Sequence, residues 1–224
     1  MKVIGRIVTD FPSKFGLPRQ SGLVEGITGK IVFEEEFRVP EAFRGLEDFS
    51  HIWILWQFSE AVRDSWLPTV RPPKLGGNKR VGVFATRSPF RPNSIGLSSV
   101  KLERIEYSDT EGPVLYVSGC DLMDGTPIYD IKPYLSYTDS HPNASGGFTD
   151  TIVKSELEVV IPDEILDTIT EDKRDTLTAI LVQDPRPSYQ NDAERVYGFG
   201  FAGYEIKFTV SDGVLTVISA EKLK

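Results

Sequence analysis

The apolar stretches of this 224-residue chain are short, and that limits what it can fold into. The longest run is Ile52-Trp53-Ile54-Leu55-Trp56, far below the roughly 20 apolar residues that a bilayer-spanning helix needs. Over the first 140 residues, short apolar segments are separated by Gly, Pro and Asn. Residues 2–8 alternate as a strand, 29–37 read as a second, and 52–58, with three aromatics, have the pattern of a strand covered on both faces. Residues 81–86, 98–105 and 114–122 supply three more, and a short helix is expected near 40–46, with proline tolerated in its first turn. No regular strand–helix–strand alternation is present, which disfavours a doubly wound parallel sheet. Many short strands with Pro/Gly-rich connections predict an all-β barrel or sandwich.

The pattern changes after Tyr134. Residues 136–150, with Asn143-Ala144-Ser145-Gly146-Gly147, are polar and turn-rich. Beyond them, Ile165, Leu166, Ile169, Leu177, Ile180 and Leu181 fall at helical spacing within 162–184, and Thr170 suits the N-cap of the second half. Residues 204–210 and 214–220 alternate as strands around Asp212-Gly213, a hairpin signal. The expected organisation is a mainly β protein: a barrel over 1–140, a linker over 141–160 and a small α+β C-terminal domain over 161–224. A unit of that size is expected to pack on the barrel or on a partner.

Charge and cysteine content exclude some functions. The net charge of -8 argues against a nucleic-acid partner until its distribution is considered. Between residues 62 and 104, nine Lys/Arg face only Asp64 and Glu103, a segment of +7 on a body of -15. Such a local field can hold a phosphate backbone. Cys120 is the only cysteine and there are two histidines, so neither an internal disulfide nor a His/Cys zinc site is expected. With no signal-peptide apolar region after Met1-Lys2, the chain is expected to be cytoplasmic, with no membrane association and no metal.

Several stretches carry side chains suited to ligands. The loop from Asp10 to Gln20 is stiffened by two prolines, and Arg19 offers a planar fork while Gln20 both donates and accepts; the plain alternative is a surface loop with one exposed cation. His51, after Asp48-Phe49-Ser50, suits orienting a ligand, acting as a base or capping a turn, and a lone histidine beside an apolar strand is commonly structural. His141 lies in the polar stretch and attracts less interest. The basic loop 71–80 lacks the Gly-Lys-Ser/Thr ending of a nucleotide P-loop. In residues 84–93, Arg87 and Arg91 lie four apart between prolines, suited to bidentate anion contacts and to stacking on bases. Asp121 and Asp124 lie three apart. Without a histidine or an EF-hand spacing beside them, and with Asp130 alternating among apolar residues, a turn through Asp124-Gly125 is the stronger reading.

Taken together, these stretches resemble the TrmO (TsaA-like) methyltransferase family. The resemblance lies in Phe-Pro-x-Lys-Phe-Gly-x-Pro-Arg-Gln from Phe11, Phe-Ser-His-Ile-Trp from Phe49, Arg-Pro-Pro-Lys-Leu-Gly-Gly from Arg71, Phe-Ala-Thr-Arg-Ser-Pro-Phe-Arg-Pro-Asn from Phe84, and Asp-Gly-Thr-Pro-Ile-x-Asp-Ile-Lys-Pro-Tyr from Asp124. It covers about residues 1–140, and Gln183-Asp184-Pro185-Arg186-Pro187-Ser188-Tyr189 is similar to the signature of that family's C-terminal domain.

The resemblance implies a single-sheeted β-barrel, a homodimer and S-adenosylmethionine as cofactor. It implies as substrate a tRNA already carrying threonylcarbamoyladenosine beside the anticodon, methylated on the exocyclic nitrogen of that base. Carried over by motif, cofactor contacts fall on Pro18, Arg19, Gln20, His51, Ile52, Arg87, Leu97, Asp121, Leu122, Met123 and Asp124. By residue type, Arg19 or Arg87 suits the methionine carboxylate, the backbone of Leu122 and Met123 the adenine edge, and Asp121 or Asp124 hydroxyl or amine donors. The attacking nitrogen is urea-like, so its proton must leave as it attacks. His51, Asp121, Asp124 and Tyr134 are candidate acceptors, and the sequence does not choose among them. Arg71, Lys74, Lys79, Arg80 and Arg91 are expected at tRNA phosphates, with Asn93, Arg186 and Tyr189 near the anticodon loop.

Three other readings compete: a non-catalytic module that binds RNA or a nucleotide, a hydrolase built on His51 with Asp121 or Asp124, and a methyltransferase acting on another small molecule. The hydrolase lacks a nucleophile elbow, metal-ligand spacing and an activated cysteine.

Overall fold

The structure, a computed structural model, describes residues 1–72, 75, 79–151, 156–186 and 192–223. The N-terminal strands are β1 (Gly5–Thr9), β2 (Thr28–Phe33), β3 (His51–Gln57), β4 (Thr69–Val70), β5 (Val81–Gly82), β6 (Ile95–Ser108), β7 (Gly112–Ser118) and β8 (Pro127–Pro133). Six of them close into one antiparallel sheet in the order β1-β2-β7-β6-β3-β8, a single-sheeted barrel. Period-two alternation fills it: Ile7, Ile31, Ile52, Ile54, Leu115, Val117 and Ile128 point inward and are buried. β4 and β5 form a separate two-rung ladder on the excursion between β3 and β6.

Three sequence expectations change in the barrel. β2 ends at Phe33, because Glu34, Glu35 and Glu36 are all exposed and offer no inward apolar side chain; residues Glu35–Phe37 form a 3-10 turn. β3 is covered on one face only: Ile52, Ile54 and Trp56 are buried, while His51 is exposed and Trp53, Leu55 and Gln57 are half-buried. The outward Trp53 is sheltered by Tyr134, at 5.7 Å between ring centroids, and donates its indole N–H to Asp139 Oδ2 at 2.8 Å. Residues 81–86 pair for only two residues before Val83–Ala85 winds into a 3-10 turn, held by Val83 N–H donating to Pro68 O.

The remaining elements are α1 (Ser136–Asp139), β9 (Glu158–Val160), α2 (Asp163–Leu166), α3 (Glu171–Val182), β10 (Tyr197–Phe201), β11 (Tyr204–Ser211) and β12 (Val214–Lys222). They give a second sheet, β10-β11-β12-β9, with β9 parallel to β12. β9 lies inside the stretch 141–160 expected to be a linker. Thr170 stands at the N-cap of α3 in extended conformation, without a side-chain capping bond. Asp212 and Gly213 close the β11–β12 hairpin, both at positive φ, as a type I′ turn requires.

The second sheet and α3 pack on the loop that follows β1. Phe11 meets Phe201 at 5.3 Å between centroids, Lys173 Nζ pairs with Asp10 Oδ2 at 2.7 Å, and Thr176 Oγ1 donates to Gly26 O at 3.2 Å. Gly16, at φ 89°, lies so close to Phe199 that a Cβ would sit 2.2 Å from the ring. One apolar core runs through both parts.

Candidate active site

Asp121 lies three residues beyond β7, where the loop after β1 and the loop before β6 converge. Its orientation follows from donor inventory. Trp56 Nε1 only donates, and it donates to Ser98 Oγ at 2.9 Å. The single hydroxyl proton of Ser98 is thereby directed to Asp121 Oδ1, at 2.6 Å. A β-bulge sets the start of this relay: Leu55 pairs with Asp130 and Trp56 with Ile128, leaving Tyr129 unpaired where Trp56 turns inward. The indole lies flat on Gly96, where a Cβ would stand 2.2 Å from Trp56 Cε2.

Three further residues complete the cluster. Arg87 Nη1 donates to Gln20 Oε1, and Gln20 Nε2 donates to the Arg19 carbonyl, so one amide ties the Arg87 guanidinium to the backbone of the loop after β1. The Ser21 backbone amide lies beside Asp121 and favours its charged form. Arg19 Nη2 reaches the Arg186 carbonyl at 3.2 Å, linking the cluster to the C-terminal part. Burial raises the proton affinity of Asp121 above that of an ordinary carboxylate, opposed by the bond from Ser98, by the Asp121 and Ser21 amides and by the charge of Arg87. Burial, reinforced by Asp121, pushes the neighbouring Cys120 thiol up to about 12, which makes it inert as a nucleophile. Among the described residues, no cluster of His, Cys, Asp and Glu could hold a metal ion, and no helix is long and apolar enough to cross a membrane.

Residues 6–140 match the tRNA-methyltransferase O N-terminal domain and residues 154–223 match the TrmO C-terminal domain. The chain belongs to the TrmO family. It is 39% identical over 226 residues to the tRNA (adenine(37)-N6)-methyltransferase of Escherichia coli K12, covering 97% of this chain and 96% of that protein. It is 40% identical over 202 residues to the putative S-adenosylmethionine-dependent methyltransferase RcsF of Pseudomonas aeruginosa, covering 87% of this chain and 85% of that one. A crystal structure of TrmO from P. aeruginosa superposes with a TM-score of 0.79 at 31% identity, covering 100% of this chain and 97% of that one.

The cofactor residues carried over from the TrmO resemblance do not all meet. Gln20, Arg87 and Asp121 do; Arg19 follows Pro18 in the same loop, with its guanidinium turned to the Arg186 carbonyl. Leu122 is core, but its N–H and that of Met123 have no acceptor among the described residues, whereas their carbonyls accept from Thr9 Oγ1 at 3.1 Å and Thr126 Oγ1 at 2.6 Å. Asp124 spends Oδ1 on the Thr9 amide at 3.0 Å, a turn role. Ile52 is fully buried inside the barrel, and its strand is paired on both sides. Alternation along β3 and β6 sends His51 and Leu97, the latter 52% exposed, to the outer face of the wall whose inner face carries Trp56 and Ser98. His51 Nδ1 is 2.9 Å from Ser50 Oγ, and its ring is 6.2 Å from Tyr134, so these two candidate proton acceptors form an outer cluster apart from Asp121. The cavity of about 350 Å³ lined by Phe33, Phe37, Phe43, Asp130 and Ile131 includes none of the expected cofactor residues.

Of the residues expected at tRNA, Arg71, Lys79, Arg80 and Asn93 are exposed. Arg80 is braced by Thr69, through Nε to Oγ1 at 2.8 Å, and half-buried Arg91 by the Thr86 carbonyl at 3.3 Å. Lys74 and Tyr189 lie outside the described residues. Arg186 is a correction: its side chain is only 11% exposed and forms a bidentate pair with Asp184, at 2.8 and 3.0 Å, so the guanidinium is turned inward and only its carbonyl faces the site. Sequence reasoning missed Ser98 and Trp56. A serine in a strand and a tryptophan in an apolar run both read as ordinary wall.

Proposed function

We propose that this chain is an S-adenosylmethionine-dependent methyltransferase that modifies the exocyclic nitrogen of adenosine 37 of tRNA, beside the anticodon, in tRNA already carrying threonylcarbamoyladenosine. The observation that carries the reading is the convergence of Gln20 and Arg87 on Asp121, with Arg19 next to Gln20 in the same loop. The names of relatives aligned over most of the chain support the reaction and its donor.

The residues at the site fit the cofactor's chemistry. Arg19 and Arg87 suit its carboxylate, the amides of Leu122 and Met123 suit an adenine edge, and Asp121 suits its amine or hydroxyl donors. S-adenosylmethionine, when bound, supplies a methyl group made electrophilic by the sulfonium. This chain contributes position and charge. The Trp56–Ser98 relay holds Asp121 Oδ1 as an acceptor, and the Gln20 amide oxygen accepts from the Arg87 guanidinium and holds it beside Asp121. Of the four candidate proton acceptors, Asp121 is the one that shares a cluster with Arg87. Arg71, Lys79 and Arg80 present cations to phosphates from the neighbouring excursion.

The reading also includes two functional parts, a cofactor-binding barrel over 1–140 and a C-terminal unit that β9 extends back to Glu158. A homodimer and a cytoplasmic location belong to it as well, supported by the family resemblance and, for the location, by the lone buried thiol of Cys120.

The test is methyl transfer from labelled S-adenosylmethionine to tRNA purified from cells with and without threonylcarbamoyl modification. Label is expected only in the modified pool; equal label in both pools, or none in either, would refute the substrate or the activity respectively.

A further inference from the structure

We infer that the exposed aromatic pair Trp66–Phe84 is a stacking platform for unpaired bases of the RNA substrate, an inference that rests on the tRNA reading above. The two rings belong to segments tied together by the β4–β5 ladder, where Thr69 pairs with Gly82 and Val83 N–H donates to Pro68 O at 2.9 Å. Their centroids are 5.9 Å apart with planes 33° from parallel, and they stay 45% and 71% exposed. A second exposed pair follows in the same excursion, with the Arg63 guanidinium 4.0 Å from the Phe90 ring centroid. Large flat apolar groups held this open find no use in the barrel's own packing.

Charge selects the occupant. Residues 62–93 carry seven Lys/Arg and a single acidic residue, Asp64, within a chain of net charge -8. Rings interleaved with guanidinium groups match a polyanion with exposed π-faces, which is the chemistry of single-stranded RNA. A base-paired stem hides those faces, so the platform fits an unpaired loop or end. A second copy of this chain is the competing occupant, but a symmetric pairing on this face would set two cationic segments against each other.

Stacking and phosphate pairing respond differently to salt, and that makes the inference testable. Stacking releases no counterions, so losing a ring shifts affinity without changing the slope of log K against log salt, whereas losing a cation flattens the slope. The experiment measures binding of a labelled anticodon stem-loop RNA by fluorescence anisotropy across a salt series, for Trp66→Ala, Phe84→Ala, Phe84→Leu and Phe84→Tyr. Cofactor calorimetry and sedimentation velocity run in parallel. Each alanine variant is expected to weaken RNA binding roughly 5- to 150-fold at every salt concentration, with slope, cofactor affinity and sedimentation coefficient unchanged. Phe84→Leu should bind as poorly as Phe84→Ala, and Phe84→Tyr should restore binding. Unchanged RNA affinity in the alanine variants, a changed slope, or rescue by leucine as good as by tyrosine would overturn the platform. A smaller sedimentation coefficient for Phe84→Ala would assign the face to a second copy instead. Absence of RNA binding by the wild-type protein would remove the tRNA reading and the platform with it, whereas intact wild-type binding that Phe84→Ala leaves unchanged would sink the platform alone.

Discussion

The Asp121 end of the barrel and the excursion over residues 62–93 meet at Arg87, yet they are built in opposite ways. At Asp121 the polar groups are directed by their neighbours: Trp56 orients Ser98, Ser98 donates to the carboxylate, and Gln20 holds the Arg87 guanidinium. The excursion has a two-rung ladder, exposed rings and exposed cations. The two regions divide the labour. A small charged cofactor is best met by groups whose reorganisation has been settled by folding. A long, adaptable polyanion is best met by cations and ring faces that remain in water.

The largest expected effect that would break this contrast comes from Gly96→Ala. The new Cβ has no room beneath the Trp56 indole, so the ring must leave and the relay to Asp121 loses its first donor. A destabilisation of about 1–3 kcal/mol is expected, seen as a lower urea midpoint, together with weaker cofactor binding. The exposed Phe84→Ala should stay within about 0.5 kcal/mol of wild type in the same unfolding measurement. Equal loss in both would show that the excursion is as tightly packed as the wall.

A smaller effect, of opposite sign, is expected from Asp121→Asn. Burial raises the folded-state pKa of Asp121 above the unfolded value of 3.8, so the folded state holds the proton more tightly. Wild-type stability therefore falls as pH rises from the unfolded pKa through the folded one, and asparagine escapes that loss. Melting curves at pH 7 should place the variant above wild type, with the gap closing as pH drops toward 4, while cofactor affinity falls. A variant less stable than wild type at pH 7 would show that Arg87 and the hydrogen bonds outweigh desolvation.

Much of the fold was legible because period-two alternation survives in Gly5–Thr9, Tyr204–Ser211 and Val214–Lys222. β10 escaped notice because its sequence, Tyr-Gly-Phe-Gly-Phe, alternates aromatics with glycines that read as loop, and β9 is only three residues long. At the site, residue type and loop stiffness singled out Arg19, Gln20 and Arg87, whereas Asp121 read as turn chemistry and entered only through the family resemblance. Which face a strand residue takes was not. His51 and Leu97 lie in the right strands and point outward, a distinction that only barrel closure fixes. Arg186 looked like an RNA contact by type, although Asp184, two residues earlier and at a positive φ, turns the guanidinium inward.

The central claim is that cofactor and RNA are held by separable sets of residues. One paired titration tests it: cofactor by calorimetry and stem-loop RNA across salt, on Asp121→Asn and on the double variant Arg71→Ala/Arg80→Ala. Asp121→Asn is expected to lose at least about tenfold in cofactor affinity with the RNA salt slope intact. The double variant is expected to flatten that slope by roughly 1 to 2 and bind cofactor as wild type does. Loss of both ligands together in either protein would contradict the account.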